Sequence, residues 1–176
     1  MKIIVCPLSR APDIARDQKP SHVVSLLDPG TPFPALAGFD ERHFRLEIHD
    51  VEQEVDGFDA LSAAHMGDIL DFVHGWKRTA PLLVHCFAGI SRSTATAYIA
   101  ACAHNPGADE EEIALALRAA SPSASPNRRF VALADASLGR GGRMTRAIEK
   151  IGRGAAWYEI GEAEPFVLAS LFGGGR

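Results

Sequence analysis

Residues 82–94 of the 176-residue chain read LLVHCFAGISRST, and this stretch decides the fold that we expect. The apolar run 82–84 predicts a buried β-strand, and the neutral, alanine-rich run from residue 92 to about 104 predicts a helix. A strand–loop–helix turn leaves backbone N–H groups unpaired beside the positive end of the helix dipole. Gly89 suits such a loop, because a ring of inward-pointing amides requires backbone angles that a side chain would hinder. The stretch therefore predicts a loop that binds an anion.

The same loop carries a candidate nucleophile. A thiol at a helix N-terminus beside a cation ionises readily, so Cys86 is expected to be a thiolate and to attack phosphorus. Arg92 follows six positions later, and its planar guanidinium can bind two phosphate oxygens at once. Ser93 would place a hydroxyl beside the sulfur, and His85 would hold the loop through its ring nitrogens. The phosphate-binding positions of this prediction are Phe87, Ala88, Gly89, Ile90, Ser91 and Arg92.

An alternative interpretation makes Cys86 an ordinary core cysteine and Arg92 a residue that stabilises the helix start. The Cys–Arg spacing alone does not decide between the two, and neither Cys6 nor Cys102 has an arginine at that distance. The flanking strand, the following helix, Gly89 and the serines beside Arg92 favour the functional interpretation.

Composition narrows the class of protein. The net charge of −4, from 18 basic and 22 acidic side chains, gives no reason to expect binding to nucleic acid or to an anionic membrane. The apolar run at residues 3–6 is too short for a signal peptide, and no run approaches the roughly 18 apolar residues of a membrane span. We therefore predict a cytoplasmic protein. Three widely spaced cysteines predict reduced thiols. The histidines and cysteines lack the paired spacing of metal ligands, so we expect no metal and no other cofactor.

The pattern along the chain predicts one α/β domain. Four apolar runs predict strands at residues 2–6, 22–27, 44–48 and 82–85. Helices are expected at 60–77, from 92, after Asp109, at 128–138 and at 144–151. We expect a central, mostly parallel sheet of four to five strands flanked by helices. The core would span about 1–151, and 152–176 would be a C-terminal extension of uncertain structure.

The pattern HCxAGxSRS at residues 85–93 resembles the signature loop of the protein tyrosine phosphatase superfamily, especially its small dual-specificity and bacterial members. The order of elements agrees with that family over roughly residues 20–137. The low-molecular-weight tyrosine phosphatases are less similar, because their nucleophile lies near the N-terminus. The resemblance implies a tyrosine-phosphatase-like fold and a phosphocysteine intermediate.

The resemblance also implies a general acid, an aspartate on the loop after the strand that precedes the signature strand. Asp50 is the matching residue, since it follows the predicted strand 44–48 and lies 36 positions before Cys86. Asp56 and Asp59 lie on the same loop and remain alternatives, although Asp59 is also a natural N-cap for the next helix.

Asn127 is similar to the asparagine of a Pro-Asn pair that precedes the last core helix of dual-specificity members. That similarity implies that it orients the loop or the hydrolytic water. A plain turn residue is the alternative interpretation.

These residues predict two-step phosphoryl transfer. Cys86 would attack phosphorus while Arg92 and the loop amides hold the oxygens, and Asp50 would protonate the leaving alcohol. Asp50 would then act as base for the water that hydrolyses phosphocysteine, assisted by Ser93.

The uncharged side chains at loop positions 87, 88 and 90 favour a single aryl or alkyl phosphate over a polyanion. We therefore expect a phosphorylated protein or a small aryl phosphate as substrate, above all phosphotyrosine, with dual specificity left open. Two other functions also remain open. One is a catalytically inactive phosphate- or phosphopeptide-binding module, and the other is a rhodanese-like sulfurtransferase.

Overall fold

A computed structural model describes residues 1–155 and 159–173 of the chain. These residues form five strands, six α-helices and two short 3₁₀ turns. In chain order the strands and helices are β1 Lys2–Pro7, α1 Ala11–Gln18, β2 His22–Leu27, β3 His43–Glu47, α2 Ala63–Gly75, β4 Leu82–Cys86, α3 Arg92–His104, α4 Glu110–Ala120, α5 Arg128–Ser137, α6 Arg143–Ile151 and β5 Phe166–Ala169.

The five strands form one sheet in the order β3-β2-β4-β1-β5. The first four are parallel, and β5 pairs antiparallel with β1. This arrangement confirms the predicted α/β class with a mostly parallel sheet of four to five strands. β1, β2 and β4 are buried along almost their whole length, which explains why they read as continuous apolar runs.

Helix α3 lies against the sheet at the centre of the main hydrophobic core. Every residue from 92 to 102 on this helix is buried. Small alanine and threonine side chains let it pack closely, while Trp76, Tyr98 and Phe130 are among the largest fully buried side chains. Its N-terminus meets the carboxyl end of β4, so the loop between them lies at the edge of the sheet where ligands of α/β proteins bind.

Several predicted boundaries move. Ser62 is the N-cap of helix α2: its hydroxyl accepts from the N–H of His65, and its own N–H donates to the Nδ1 of His65. The expectation that Asp59 caps this helix was therefore wrong. Strand β3 covers residues 43–47 instead of 44–48, although the N–H of Ile48 still donates to the Leu27 carbonyl at 2.7 Å.

Two elements were not predicted. The buried side of α1 consists of the alanines Ala11 and Ala15, so the sequence shows no strong apolar stripe there. Strand β5 has four residues and lies inside the extension 152–176. Its alternating pattern, with Phe166 and Leu168 buried, is too short to stand out. Among residues 1–155 and 159–173, no helix has the length and apolar character needed to cross a bilayer.

Candidate active site

The loop between β4 and α3 forms a ring with its carbonyl groups turned outward. The carbonyls of Phe87, Ala88, Ile90 and Ser91 accept hydrogen bonds from segments around the loop. Their donors are, respectively, the backbone N–H groups of Leu8 at 3.0 Å, Ala163 at 2.8 Å, Ser125 at 3.0 Å and Asn127 at 3.4 Å. In the described part of the chain, no N–H of residues 87–91 donates to a backbone carbonyl. These amides are therefore available to an anion inside the ring.

Gly89 is required at its position for two reasons. Its φ of +74° lies in the left-handed region, where residues with a side chain are strained. A Cβ at this position would also lie 2.8 Å from the backbone nitrogen of Pro7 and 2.9 Å from the carbonyl carbon of Cys6. Strand β1 therefore approaches the loop too closely for any other residue.

Cys86 lies at the base of this ring, with its side chain 2% exposed. Its Sγ is 3.1 Å from the Oγ of Ser93, on the first turn of α3. The Ser93 hydroxyl is thus placed to donate a hydrogen bond to the sulfur.

Arg92 is buried and anchored along one edge only. Its Nη1 donates to the carboxylate of Asp28 at 2.9 Å and to the carbonyl of Ile48 at 2.6 Å. Its Nε is buried and has no hydrogen-bond partner among the described residues. A buried donor without a partner is costly, and a phosphate oxygen in the ring would satisfy it. The guanidinium is thus held in place with another edge free for a ligand.

Asp28 was not predicted. Asp28 is the first residue after β2. Asp50 comes shortly after the end of β3, and Cys86 is the last residue of β4. The carboxyl ends of parallel strands meet at one edge of a sheet. A charged residue directly after a buried strand was therefore the signal that could have identified Asp28.

Asp50 lies beside the loop, held by two donors. Its Oδ1 accepts from the Ser91 hydroxyl at 2.8 Å and from the Asn127 side-chain amide at 2.7 Å. Its Oδ2 is 3.8 Å from the Nε of Arg92. Because Oδ1 is occupied by two donors, Oδ2 is the oxygen that can carry a proton toward a ligand.

The rival carboxylates lie elsewhere. Asp56 and Asp59 line a separate groove beside Phe58, whereas Asp50 lines the cavity above Cys86. The structure therefore brings Asp50, and neither rival, together with the predicted nucleophile.

Asn127 has a structural contact at the start of a helix and a second contact with the candidate acid. Its side-chain oxygen caps α5 by accepting from the N–H of Phe130 at 3.2 Å. Its amide nitrogen binds Asp50 at the same time. A residue that ends a turn thus also orients the carboxylate.

The loop that follows Asp50 packs against α5. Glu52 accepts from the backbone N–H of Arg128 at 3.2 Å and from the side chain of Arg153 at 2.9 Å. Glu54 pairs with Arg129 at 3.2 Å. These contacts are largely exposed and individually weak, and they join the loop to the start of α5 and to Arg153.

The cavity has a volume of about 250 Å³. It is lined by Cys86, by all the predicted phosphate-binding residues except Gly89, and by Asp28, Asp50 and Ile160. Phe87, which is 54% exposed, and Ile160 give it apolar walls. Ile160 belongs to the C-terminal extension, where no motif signalled a role. Arg92 is the one cation that lines the cavity in the described part of the chain. Within residues 1–155 and 159–173, no three histidine, cysteine or acidic side chains are grouped to hold a metal ion.

Comparisons with known proteins identify similar sequences and similar folds. No protein-family model matches the chain. Dual specificity protein phosphatase 15 from rat and from mouse are 32% and 31% identical to it over 123 residues, which is 69% of this chain. The chain spans about half the length of these curated relatives, 48% of each. Both are rodent proteins, so they do not support the predicted resemblance to bacterial members of the family.

Solved structures share the fold. The crystal structure of DUSP15 matches 83% of this chain and 89% of its own, with a TM-score of 0.58 at 25% identity. Human DUSP28 matches 83% of this chain and 93% of its own, with a TM-score of 0.56 at 19% identity. A human tyrosine phosphatase-like serine/threonine/tyrosine-interacting protein matches 78% and 91%, with a TM-score of 0.59 at 19% identity.

Proposed function

Because the chain belongs to the protein tyrosine phosphatase superfamily, among its small dual-specificity members, we propose that it hydrolyses phosphate monoesters through a phosphocysteine intermediate on Cys86. One observation carries the proposal. The anchored Arg92 keeps a buried Nε that has no hydrogen-bond partner among residues 1–155 and 159–173. It lines the same cavity as Cys86, beside a loop whose N–H groups donate to no backbone carbonyl in the described part of the chain. A tetrahedral dianion fits this set of donors, and phosphorus would then face the sulfur.

In the first step the Sγ of Cys86 attacks phosphorus in line as the bond to the leaving oxygen breaks. Arg92 and the loop amides stabilise the charge on the three remaining oxygens. Oδ2 of Asp50 donates its proton to the leaving oxygen, so that an alcohol departs and a carboxylate remains.

In the second step a water attacks the phosphocysteine. Asp50, now ionised, takes one proton from this water as the new P–O bond forms and the P–S bond breaks. The Ser93 hydroxyl, 3.1 Å from the sulfur, donates to the departing thiolate. Asn127 and Ser91 hold Asp50 in place for both proton transfers.

The walls of the cavity support an aryl phosphate as substrate. Phe87 and Ile160 offer apolar surface to a phenyl ring, and the cation of Arg92 is already committed to one phosphate. Asp28 and Asp50 would repel additional phosphate groups. We therefore propose phosphotyrosine in a protein as the principal substrate, with phosphoserine and phosphothreonine as further substrates. A cytoplasmic location and a single domain over residues 1–176 are part of the same proposal.

The two alternative functions are less well supported. An inactive phosphopeptide-binding module needs no nucleophile and no acid, whereas this site holds both together with Arg92. A sulfurtransferase has no need for a proton donor placed as Asp50 is, across the cavity from the thiol.

The change Asp50→Asn tests the assignment of the acid. We expect kcat for a phosphotyrosine peptide to fall about 10²- to 10³-fold, because the amide cannot protonate the phenolate. The loss should be smaller for an aryl phosphate with a strongly acidic phenol, which departs without a proton. In the wild type, the plot of kcat/KM against pH should be bell-shaped. Its basic limb should disappear in the variant, because that limb reports loss of the proton from Asp50. Steady-state assays across pH measure all of these quantities.

Asp56→Asn is the matched control, because it makes the same change on the same loop outside the cavity. It should leave both the rate and the bell-shaped profile as in the wild type. An Asp56→Asn variant that loses activity while Asp50→Asn keeps it would transfer the role to Asp56.

Ile160 offers a test of the substrate class. Ile160→Ala removes one apolar wall, so KM for an aryl phosphate should rise about three- to tenfold with little change in kcat. KM for a small alkyl phosphate should not change, because such an ester does not reach this wall. Val167→Ala, in the same C-terminal segment on β5, is the control. Equal effects on aryl and alkyl esters would show that Ile160 does not contact the ring.

A further inference from the structure

A line of buried hydrogen bonds crosses the sheet from β3 to the catalytic loop. The hydroxyl of Ser25, on β2, lies 2.6 Å from the Nε2 of His43 on β3 and 2.5 Å from the Nε2 of His85 on β4. On its other side, the Nδ1 of His85 lies 3.4 Å from the carbonyl oxygen of Cys86. The side chains of Ser25, His43 and His85 are 0%, 6% and 0% exposed, so water cannot substitute for any of these contacts.

The three residues occupy the face of the sheet opposite α3. Ser25 lies opposite His85 in the β2–β4 register, and Val23, two residues before Ser25, lies opposite His43 in the β2–β3 register. Val23 and Leu83 pack on this face with Ala11 and Ala15 of α1. The hydrogen bonds thus lie within a small apolar cluster, where an unsatisfied polar atom is costly.

Both imidazoles are neutral at physiological pH. Burial lowers the pKa of His85 to about 4, and the bond to the Cys86 carbonyl offsets only part of that effect. Burial likewise lowers the pKa of His43 to about 4, with smaller contributions from Arg45 and His85. Each ring therefore carries one N–H, either on Nδ1 or on Nε2. The choice in one ring depends on the choice in the other, because the Ser25 hydroxyl contacts both.

Hydrogen-bond accounting decides the positions of these protons. The Ser25 hydroxyl has one proton and two lone pairs, and the two rings are its only hydrogen-bond partners among the described residues. Accepting from both rings would leave its own buried proton unpaired, so it donates to one ring and accepts from the other. If it donates to His85, the Nδ1–H of His85 donates to the Cys86 carbonyl and the Nε2–H of His43 donates to Ser25. That arrangement leaves one unsatisfied acceptor, the Nδ1 of His43, which has no partner among the described residues.

The reverse arrangement is worse in two places. His85 would then present a lone pair on Nδ1 to the Cys86 carbonyl, so that two acceptors face each other. His43 would carry its proton on Nδ1, leaving a buried donor without a partner, which is rarer in proteins than an unsatisfied acceptor. The direction of the bonds therefore runs from His43 through Ser25 and His85 to the Cys86 carbonyl.

The consequence for the loop follows from the planar peptide bond. The carbonyl of Cys86 and the N–H of Phe87 belong to one trans peptide group, in which they point in opposite directions. A donor that holds this carbonyl on the sheet side therefore turns the Phe87 N–H toward the interior of the ring. We propose that Ser25 and His43 are positioning residues, which fix His85 in its Nδ1–H form and thereby aim the first amide of the loop at bound phosphate.

The test combines four variants, one of which is His43→Leu, with two measurements. Ser25→Ala removes the link, Ser25→Thr restores a hydroxyl on a side chain suited to a strand, and Val23→Ala is a control on the same strand and face. Nitrogen-15 NMR distinguishes the Nδ1–H and Nε2–H forms of the His85 ring. Calorimetry measures the affinity for inorganic phosphate without requiring turnover.

We expect the wild type to show the Nδ1–H form of His85. In Ser25→Ala the Nε2–H form should appear, and the Kd for phosphate should rise about three- to tenfold, as expected when one charge-assisted hydrogen bond is weakened. Ser25→Thr should restore both properties, whereas Val23→Ala should leave both as in the wild type. His43→Leu should give an intermediate result, because Ser25 can still donate to His85 but is no longer compelled to.

Three outcomes would overturn the proposal. The first is an Nε2–H form of His85 in the wild type, a result that does not depend on whether any variant folds. The second is an unchanged Kd in a folded Ser25→Ala variant, and the third is an equal loss in Val23→Ala.

The inference rests on the proposed function and deepens it, but the two fail separately. If the wild type binds phosphate with His85 in the Nδ1–H form and never hydrolyses an ester, the proposed activity fails and the positioning role stands. If the wild type hydrolyses esters and Ser25→Ala binds phosphate equally well, the positioning role fails and the proposed activity stands.

Discussion

Replacing Cys86 by serine should abolish turnover, lowering kcat for an aryl phosphate by about 10⁴-fold or more. The proposed attack requires a thiolate, to which the Ser93 hydroxyl 3.1 Å away could donate, whereas a serine hydroxyl stays protonated at neutral pH. The Ser91 hydroxyl also lines the cavity, but it donates to Asp50 and does not replace the nucleophile. Binding of the substrate should persist, because the donors that hold phosphate are unchanged.

Acid quench followed by mass spectrometry gives a direct readout. The wild type should carry one phosphoryl group on the peptide that contains Cys86, and Cys86→Ser should carry none. Cys102→Ala is the control, since Cys102 is a buried free thiol on α3 outside the cavity. More than about 1% residual activity in Cys86→Ser would place the nucleophile elsewhere.

The same wild-type experiment separates the alternative functions. Phosphate binding without hydrolysis would identify an inactive binding module. Turnover of thiosulfate with no phosphoryl group on Cys86 would identify a sulfurtransferase.

Arg92→Lys should lower kcat/KM by about 10²- to 10³-fold, with most of the loss in kcat. Lysine keeps the charge but cannot make the contacts to the Asp28 carboxylate and the Ile48 carbonyl while also presenting a planar fork to phosphate. The charge that spreads over the equatorial oxygens in the transition state would then meet a single donor group in a less defined position.

Arg118→Lys is the matched control, because its guanidinium also binds backbone carbonyls but lies on α4 away from the cavity. Steady-state kinetics and thermal unfolding of both variants separate catalysis from stability. An increase in KM with unchanged kcat in Arg92→Lys would show that Arg92 only binds the ground state, which contradicts the role proposed here.

The most local parts of the site were predictable from the sequence. The stretch 82–94 contains its own strand, loop and helix start, so Cys86 and Arg92 could be paired without any distant residue. Asp50 could be proposed because the resembled family carries its acid on the loop after the strand that precedes the signature strand. The structure then places the residues after β3 and β4 at one edge of the sheet. Choosing between Asp50 and Asp56 required the structure, because the loop after β3 is long enough to place either of them near the thiol.

Other parts were hidden because they depend on partners far apart in the chain. Asp28 and Arg92 are 64 positions apart, and Ser25 and His85 are 60 positions apart. A single serine in an apolar strand carries no signal of its own. Ile160 reaches the cavity because the Ala163 N–H donates to the Ala88 carbonyl and so holds the C-terminal segment across the loop.

The amino-acid sequence by itself determined the class of fold and indicated the chemistry that we propose for the loop, since both follow from apolar periodicity and from donors and a thiol within a dozen residues. Only the tertiary structure decided how that chemistry is held in place. The orientation of Asp50 by Asn127 depends on the start of α5 packing against the loop after β3. The anchoring of Arg92 by Asp28 and the contact of Ser25 with the His85 ring depend on side chains that parallel strands bring together at one edge or on one face of the sheet. Register and strand order create those contacts, and neither can be deduced from one residue's neighbours in the sequence.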